Sequence, residues 1–135
     1  LVIIGSVSGY LATPGGSAYG MSKFAVRALA HSLGHELARD GVSVVLISPG
    51  FVESEIGHVD NRGVLRPGRA DRVPARFAMP TAAAARRIVR AVARRRREAV
   101  ITAHGKAAVF FQRHAPWLVA AVVRRFGIQG RGEPR

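Results

Sequence analysis

The apolar and polar positions of the first fifty residues predict a strand, a helix and a second strand. The run LVIIG at 1–5 and the run VSVVLIS at 42–48 are continuously apolar, which is typical of strands buried on both faces. Between them, one helical stripe of apolar side chains falls at Val26, Leu29, Leu33 and Leu37. Ser17 is expected to cap the start of this helix and Gly41 to follow its end. A strand–helix–strand unit predicts a parallel sheet.

The middle of the chain predicts a loop and then a basic helix. Residues 51–79 show little periodicity and are expected to form a long loop or lid with a short helix, and loops of this length are often functional. A helix is predicted to begin at Pro80 and Thr81, with arginines opposite its apolar side. That apolar stripe consists of Ala85, Ile88, Val89 and Val92.

The last third predicts one more strand and a helical tail. EAVIT at 98–102 is typical of a short strand, and residues 106–126 have a helical pattern that is interrupted at Pro116. We therefore expect an α/β domain over residues 1–103 and a basic helical tail over 104–135.

Length and composition indicate a single globular domain. The chain has 135 residues, of which 48% are hydrophobic, and it contains no cysteine. That composition excludes a disulfide framework and a thiolate metal site, so no metal is expected and a cytoplasmic location fits. The sequence opens directly into a predicted strand without a basic leader, so we expect further sequence upstream rather than a signal peptide.

The net charge of +13 raises nucleic acid or an anionic surface as a partner. Nineteen of the 21 basic residues are arginine, and the densest run, RRRR at 94–97, has no aromatic neighbours for stacking on bases. A solvated basic face is therefore favoured, and no nucleic-acid partner is expected.

The tail also suggests a membrane surface as a candidate partner. Its longest apolar run, APWLVAAVV, has nine residues, far fewer than the roughly 20 that a spanning helix needs. With Trp117, and with Arg124 and Arg125 just beyond, this segment could lie peripherally on a membrane surface. Packing on its own domain or on a partner subunit is the alternative.

The first candidate chemistry lies at the start of the first predicted helix. Tyr19 and Lys23 are one turn apart and are expected on the side that faces the sheet, near the carboxyl end of the first strand, where open α/β sheets bind ligands. Tyrosine is a poor acid or base at neutral pH, but an adjacent ammonium favours its phenolate. With a serine from the strand end, either Ser6 or Ser8, such a pair suits moving a proton on and off a carbonyl or carbinol oxygen. A hydride would have to come from a cofactor.

The same residues admit a purely structural interpretation. Tyr19 and Lys23 could be an amphipathic pair whose lysine reaches solvent, and Ser6 and Ser8 could be ordinary loop residues. Geometry inferred from spacing supports the two interpretations equally.

The stretch IIGSVSGY…PGGSAYGMSKFAV…ELARDGVSVVLISPGFVESEI resembles the carboxyl-terminal half of the short-chain dehydrogenase/reductase family. That family carries a serine, a Tyr-x-x-x-Lys motif thirteen residues later, and a following strand that ends in Pro-Gly. Thirteen residues before Tyr19 is Ser6, so the resemblance selects Ser6 over Ser8 as the catalytic serine. It implies that Tyr19 is the general acid/base, that Ser6 polarises the substrate oxygen, and that Lys23 favours the phenolate and binds the nicotinamide ribose.

The resemblance also implies a cofactor site after the second strand. Pro49, Gly50 and Val52 would line the nicotinamide, with the Val52 backbone meeting its carboxamide. Ser54 stands where the family commonly has a threonine and would keep a hydroxyl near the cofactor. Residues 55–79 would form the substrate loop, and helix 17–40 would belong to the usual subunit interface. The segment PWLVAAVVRRFG is similar to tails of members that act on lipid-like alcohols and ketones.

Several parts of the family pattern are absent from the sequence. These are the Gly-rich phosphate turn, the Asn-Ala-Gly segment and the helix asparagine of the proton relay. We therefore expect an α/β, Rossmann-like doubly wound parallel sheet of which only the carboxyl-terminal portion is present. The intact protein is expected to be an NAD(P)-dependent oxidoreductase, with NADP slightly favoured, and to form a homodimer or homotetramer. The alternative is a non-catalytic basic domain that binds a membrane surface or nucleic acid.

Overall fold

The computed structural model describes residues 1–54, 59, 64 and 77–126. Three strands and four α-helices are found in these ranges: β1 (Val2–Ile4), α1 (Ser17–Glu36), β2 (Val45–Ser48), α2 (Thr81–Ala93), β3 (Glu98–Val100), α3 (Ala103–His114) and α4 (Pro116–Phe126). Single 3-10 turns cover Val7–Gly9 and Leu37–Asp40. Most of the expected loop, with its short helix, lies outside the described residues.

The predicted parallel sheet is confirmed. Its order is β1-β2-β3, and both pairings are parallel. All four residues of β2 are buried, because this strand lies between the other two and has a helix on each face. The carboxyl ends of all three strands consequently meet at one edge.

Side chains that alternate along β2 build a core on each face of the sheet. Val44 and Leu46 pack with Ala30 of α1, together with partly buried Ile3, Leu33 and Leu37. Val45 and Ile47 face the other way and pack with α2 and Ile101. Helices therefore cover both faces, as a doubly wound sheet requires.

β1 is less buried than its apolar sequence predicted. Val2 and Ile4 are 42% and 50% exposed, whereas Ile3 packs under α1. Among the described residues, no element covers the face of β1 that carries Val2 and Ile4. β2 also begins later than predicted, since Val42 is exposed and precedes the strand.

The sheet-facing stripe of α1 differs from the predicted one. Leu29 is 53% exposed, and its neighbour Ala30 is buried instead. A methyl side chain lets the helix approach the sheet more closely than a leucine would, which sets the rotation of the helix. Ser17 is the first helical residue and Gly16 precedes it without a side-chain cap, while Gly41 ends the following turn at φ 72°, as predicted.

α2 likewise packs on the sheet through small buried side chains. Ala84 and Ala91 are buried, and Ile88 and Val92 pack beside them, but Val89 is 67% exposed. Ala85, which was also predicted on the apolar stripe, is exposed. Ile88 and Val92 of the predicted stripe are therefore confirmed, whereas Ala84 and Ala91 are buried in place of Ala85 and Val89.

The tail is helical and is interrupted at Pro116, as predicted, although α3 already begins at Ala103. Gly105 brings α3 close to the sheet, since a β-carbon there would lie 2.7 Å from Val7 Cγ2 and 3.1 Å from Val100 Cγ1. The start of the expected tail thus packs on the α/β unit. Within the described ranges, none of the helices has the length and apolar character needed to cross a membrane.

Candidate active site

The ends of β1 and β2 are joined by backbone hydrogen bonds that continue past the strands. Gly5 N donates to Ile47 O at 2.7 Å, and Val7 N donates to Pro49 O at 2.9 Å. Ser6 lies between these two bonds and is therefore held beside the segment that begins at Pro49. Two groups of residues that the sequence predicted for one site are thus adjacent at the carboxyl edge of the sheet.

The 3-10 turn that follows Ser6 packs against α1. Ser6 is extended, and its Oγ accepts a hydrogen bond from Ser8 N at 3.1 Å. The turn then packs backbone to backbone on the helix, because a β-carbon at Gly9 would lie only 2.7 Å from Lys23 O. Gly9 permits this close approach because glycine has no side chain.

Tyr19 and Lys23 lie together on α1, with Lys23 Nζ 5.6 Å from the centroid of the Tyr19 ring. Tyr19 was expected on the side of the helix that faces the sheet; the residue is 53% exposed, so it is not buried against the sheet. The helix contacts the sheet through its second half, at Ala30 and beyond, and Tyr19 lies about 16 Å earlier along the axis at about 1.5 Å per residue. In its first turn Ser17, Ala18 and Tyr19 are exposed and Gly20 is buried.

The segment after β2 is fixed by the start of α3. Phe51 N donates to His104 Nε2 at 2.9 Å, and the two rings stack with centroids 5.2 Å apart. A β-carbon at Gly50 would collide with His104 and Thr102, so glycine is required there by space. Thr102 is fully buried, and its hydroxyl has no hydrogen-bond partner among the described residues. His104 and Thr102 were not singled out from the sequence.

The two ends of the expected substrate loop are joined at its base. Val52 and Met79 form a parallel bridge, in which Met79 N donates to Phe51 O and Glu53 N donates to Met79 O, both at 3.0 Å. In such a bridge the N–H and C=O of Val52 itself point away from Met79. Ser54 is exposed at the last described position before the loop.

A partly buried polar cluster around Glu98 was also missed. Glu98 Oε1 accepts hydrogen bonds from Tyr10 Oη at 2.7 Å and Arg27 Nε at 2.9 Å, and His31 Nε2 lies 3.2 Å away. Tyr10 Oη also lies 3.2 Å from Ser48 Oγ. The cluster connects the turn after β1, α1, β2 and β3.

The contacts of the Tyr10 hydroxyl with Glu98 and Ser48 give Tyr10 a structural position, and the electrostatics of the cluster agree. Burial raises the pKa of Tyr10 to about 12, although the Ser48 hydrogen bond opposes the rise. Burial alone would also raise the pKa of Glu98, but the hydrogen bonds that its carboxylate accepts outweigh burial and hold the pKa below the ordinary value of 4.5. Tyr10 therefore stays neutral and Glu98 ionised at neutral pH. The sequence feature that could have indicated this cluster is Glu98, a lone acidic residue at the start of a predicted strand in a strongly basic chain.

Comparison with known proteins agrees with this fold. A short-chain dehydrogenase from Sphingobium yanoikuyae, solved in complex with NADPH, matches 99% of the chain with a TM-score of 0.65 and 24% identity, over 48% of its own length. A short-chain dehydrogenase from Streptomyces avermitilis matches 91% of the chain, with a TM-score of 0.61, 20% identity and 48% of its own length. These likenesses define the fold class, which is a Rossmann-like α/β sheet.

The sequence matches identify the family. Residues 1–64 match the family model for short chain dehydrogenases. A dehydrogenase/reductase SDR family protein 7-like from Anopheles gambiae is 34% identical over 115 residues, which are 84% of the chain and 36% of that protein. An uncharacterized oxidoreductase from Staphylococcus epidermidis is 44% identical over 54 residues, which are 40% of the chain and 24% of that protein. The chain belongs to the short-chain dehydrogenase/reductase family of oxidoreductases.

The chain spans about a third of the length of the mosquito relative and about a quarter of the staphylococcal one. None of these matches supports the alternative of a non-catalytic basic domain for membranes or nucleic acid.

Proposed function

We propose that the intact protein is an NAD(P)-dependent oxidoreductase that interconverts an alcohol and a ketone or aldehyde. One observation carries the proposal: Lys23 Nζ lies 5.6 Å from the Tyr19 ring centroid, on a helix that packs against the turn following Ser6. This arrangement stands at the carboxyl edge of the sheet, where open α/β folds bind ligands.

Tyr19 is the proposed general acid/base. Within the described part of the chain its hydroxyl makes no hydrogen bond, and the side chain is exposed, so a substrate oxygen can reach it. Ser6 is proposed to hold that oxygen. Ser6 Oγ already accepts a hydrogen bond from Ser8 N, which leaves its own O–H free to donate. Tyr19 would then give its proton to a carbonyl oxygen, or take one from a carbinol.

The residues at this edge fit the nicotinamide end of a dinucleotide. Lys23 has no ion-pair partner in the described ranges, and the proposed role of its ammonium is to bind the ribose and favour the Tyr19 phenolate. Pro49 and Gly50 provide a backbone wall, and the N–H and C=O of Val52 point away from Met79, as a carboxamide partner requires. The cofactor supplies the hydride when bound. The Ser54 hydroxyl is proposed to lie near it.

NADP is the preferred cofactor in this proposal, supported by the NADPH complex of the Sphingobium relative. The proposed substrate is a small alcohol or carbonyl compound, and lipid-like examples are the first to test. Homodimer or homotetramer formation through α1 is supported by the exposed apolar side chains of Met21, Phe24 and Leu29.

The two tyrosines of the chain provide a matched test. In the intact protein, Tyr19→Phe should lower kcat by roughly 100-fold or more with an unchanged melting temperature, because general acid/base groups contribute on that order and this hydroxyl has no described partner. Tyr10→Phe should do the reverse: it lowers the melting temperature and leaves kcat within a few-fold, since its hydroxyl bonds Glu98 and Ser48. Activity would be followed as NADPH oxidation with a panel of carbonyl substrates. Full activity of Tyr19→Phe would refute the proposed role.

A further inference from the structure

A strongly basic cleft lies on the β3 side of the sheet, away from the proposed catalytic groups. Its volume is about 330 Å³, and its apolar floor includes Ala91, Ala99 and Ile101. Cationic side chains from α2, the turn after it and α3 line its walls: Arg87, Arg90, Arg94, Arg96 and Lys106. Among the described residues that line the cleft, none is acidic.

The charges around this cleft are not neutralised by the described part of the protein. Arg87 Nη1 donates to Ile101 O at 2.6 Å, but that partner is a neutral carbonyl. Glu98, the nearest acid in sequence, is engaged with Arg27 and His31 from α1. Like charges gathered around one cleft repel each other, and an anion placed between them removes that repulsion.

The turn that carries two of these arginines adopts a costly backbone conformation. Arg95 has φ 48°, a left-handed value that costs a residue other than glycine roughly 1–2 kcal/mol. The turn is closed by Arg95 N to Val92 O at 2.9 Å and Arg96 N to Ala91 O at 3.1 Å. It directs Arg94 and Arg96 to the cleft, whereas Arg97 contacts His35 of α1. Backbone strain of this kind is a reason to look for a function.

We propose that this cleft binds a phosphate-bearing ligand. Guanidinium groups present paired N–H donors that match phosphate oxygens, and the volume is sufficient for a small ligand. The charge of the cleft favours an anionic ligand over a second copy of the chain. A second copy that docked through the same edge would place its own five cations against these five. The phosphate belongs either to a soluble molecule or to a phospholipid headgroup.

The test compares two doubly substituted variants of the intact protein. Arg90→Gln with Arg94→Gln removes two cations from the cleft, and Arg86→Gln with Arg113→Gln removes two exposed arginines outside its lining. Each pair lowers the net charge of the chain from +13 by two, to +11. Arg90→Lys with Arg94→Lys keeps the charge and removes the paired donors. All four arginines are exposed, and melting curves check that each variant is folded.

Binding of inorganic pyrophosphate would be measured by isothermal titration calorimetry, and binding to phosphatidylcholine vesicles with and without phosphatidic acid by sedimentation. We expect the cleft pair to weaken pyrophosphate binding by about 10-fold or more, the lysine pair by less, and the control pair by under about 2-fold. Vesicle binding that requires phosphatidic acid, is lost in the cleft pair and is displaced by pyrophosphate would assign the site to a headgroup. Equal losses in the cleft and control pairs, or no binding of either probe, would overturn the proposal.

Discussion

Gly9→Ala tests how the turn that follows Ser6 packs on the helix of Tyr19 and Lys23. In Gly9→Ala, the new methyl group would lie 2.7 Å from Lys23 O and 3.2 Å from Lys23 C. Both are backbone atoms inside a helix, so they cannot rotate away as the end of a flexible side chain could. The turn and α1 must separate instead.

The size of the effect follows from that distance. Ordinary contact begins at 3.4 Å, so the separation needed is about 0.7 Å. Forcing one extra methyl group into a packed region typically costs about 1–3 kcal/mol, which lowers the melting temperature of a domain this size by roughly 3–10 °C. Under the proposed function, kcat/KM should fall by roughly 10- to 100-fold, because misplacement of catalytic groups by about 1 Å has effects of that order.

The assay is thermal unfolding by circular dichroism together with steady-state kinetics. Gly34→Ala is the matched control in the same helix, since its β-carbon would meet Val44 Cβ at an ordinary 3.9 Å. Alanine is favoured over glycine inside a helix by about 0.5–1 kcal/mol, so this variant should melt slightly higher. A Gly9→Ala protein that melts as high as Gly34→Ala would show that the turn does not pack on α1 as described.

Three further predictions concern the rest of the described structure. Arg95→Gly should raise the free energy of unfolding by roughly 1 kcal/mol in urea titrations, since glycine adopts the φ of 48° freely; a destabilised variant would contradict the strain at this turn. Because the folded state lowers the pKa of Glu98, this group stabilises the fold above its ordinary pKa of 4.5, and that contribution is lost as the pH falls through the folded value. Glu98→Gln should therefore be less stable at pH 7 but lose less stability between pH 5 and 3, and parallel acid profiles would refute this. His104→Phe keeps a ring beside Phe51 but removes the nitrogen that accepts the hydrogen bond from Phe51 N. The free energy of unfolding should therefore fall by about 0.5–1.5 kcal/mol, and an unchanged value would show that this hydrogen bond does not stabilise the fold.

The parallel sheet and its helices could be predicted because β-branched runs and helical periodicity are local signals. The rotation of the helices could not. Leu29 and Val89 are larger than Ala30 and Ala91, and transfer free energy favours burying the larger side chain. The structure buries the alanines, since close approach of each helix to β2 requires a small residue at the contact. The rotation of a helix depends on the shape of the sheet surface that it faces. A helical wheel is drawn from the helix sequence alone and carries no information about that surface.

The candidate site also contains residues that the sequence predicted and residues that it did not. The positions of Ser6 and the Tyr19–Lys23 pair follow a spacing that is readable in the sequence. Thr102 and His104 lie about fifty residues from Gly50, and their contact with it depends on β3 pairing with β2. The Glu98 cluster likewise joins side chains up to 88 residues apart. Such contacts become visible only when the strand order is known.

The bridge between Val52 and Met79 separates the sheet from the segment it encloses. The two ends of this segment are already fixed by backbone hydrogen bonds. For flexible loops in general, the entropic cost of closure grows only with the logarithm of length, and doubling the length costs about 0.6 kcal/mol. Insertions and deletions between these two residues can therefore accumulate during evolution while the strand ends and α1 keep their positions. Variation in substrate preference among relatives is expected to concentrate in this segment.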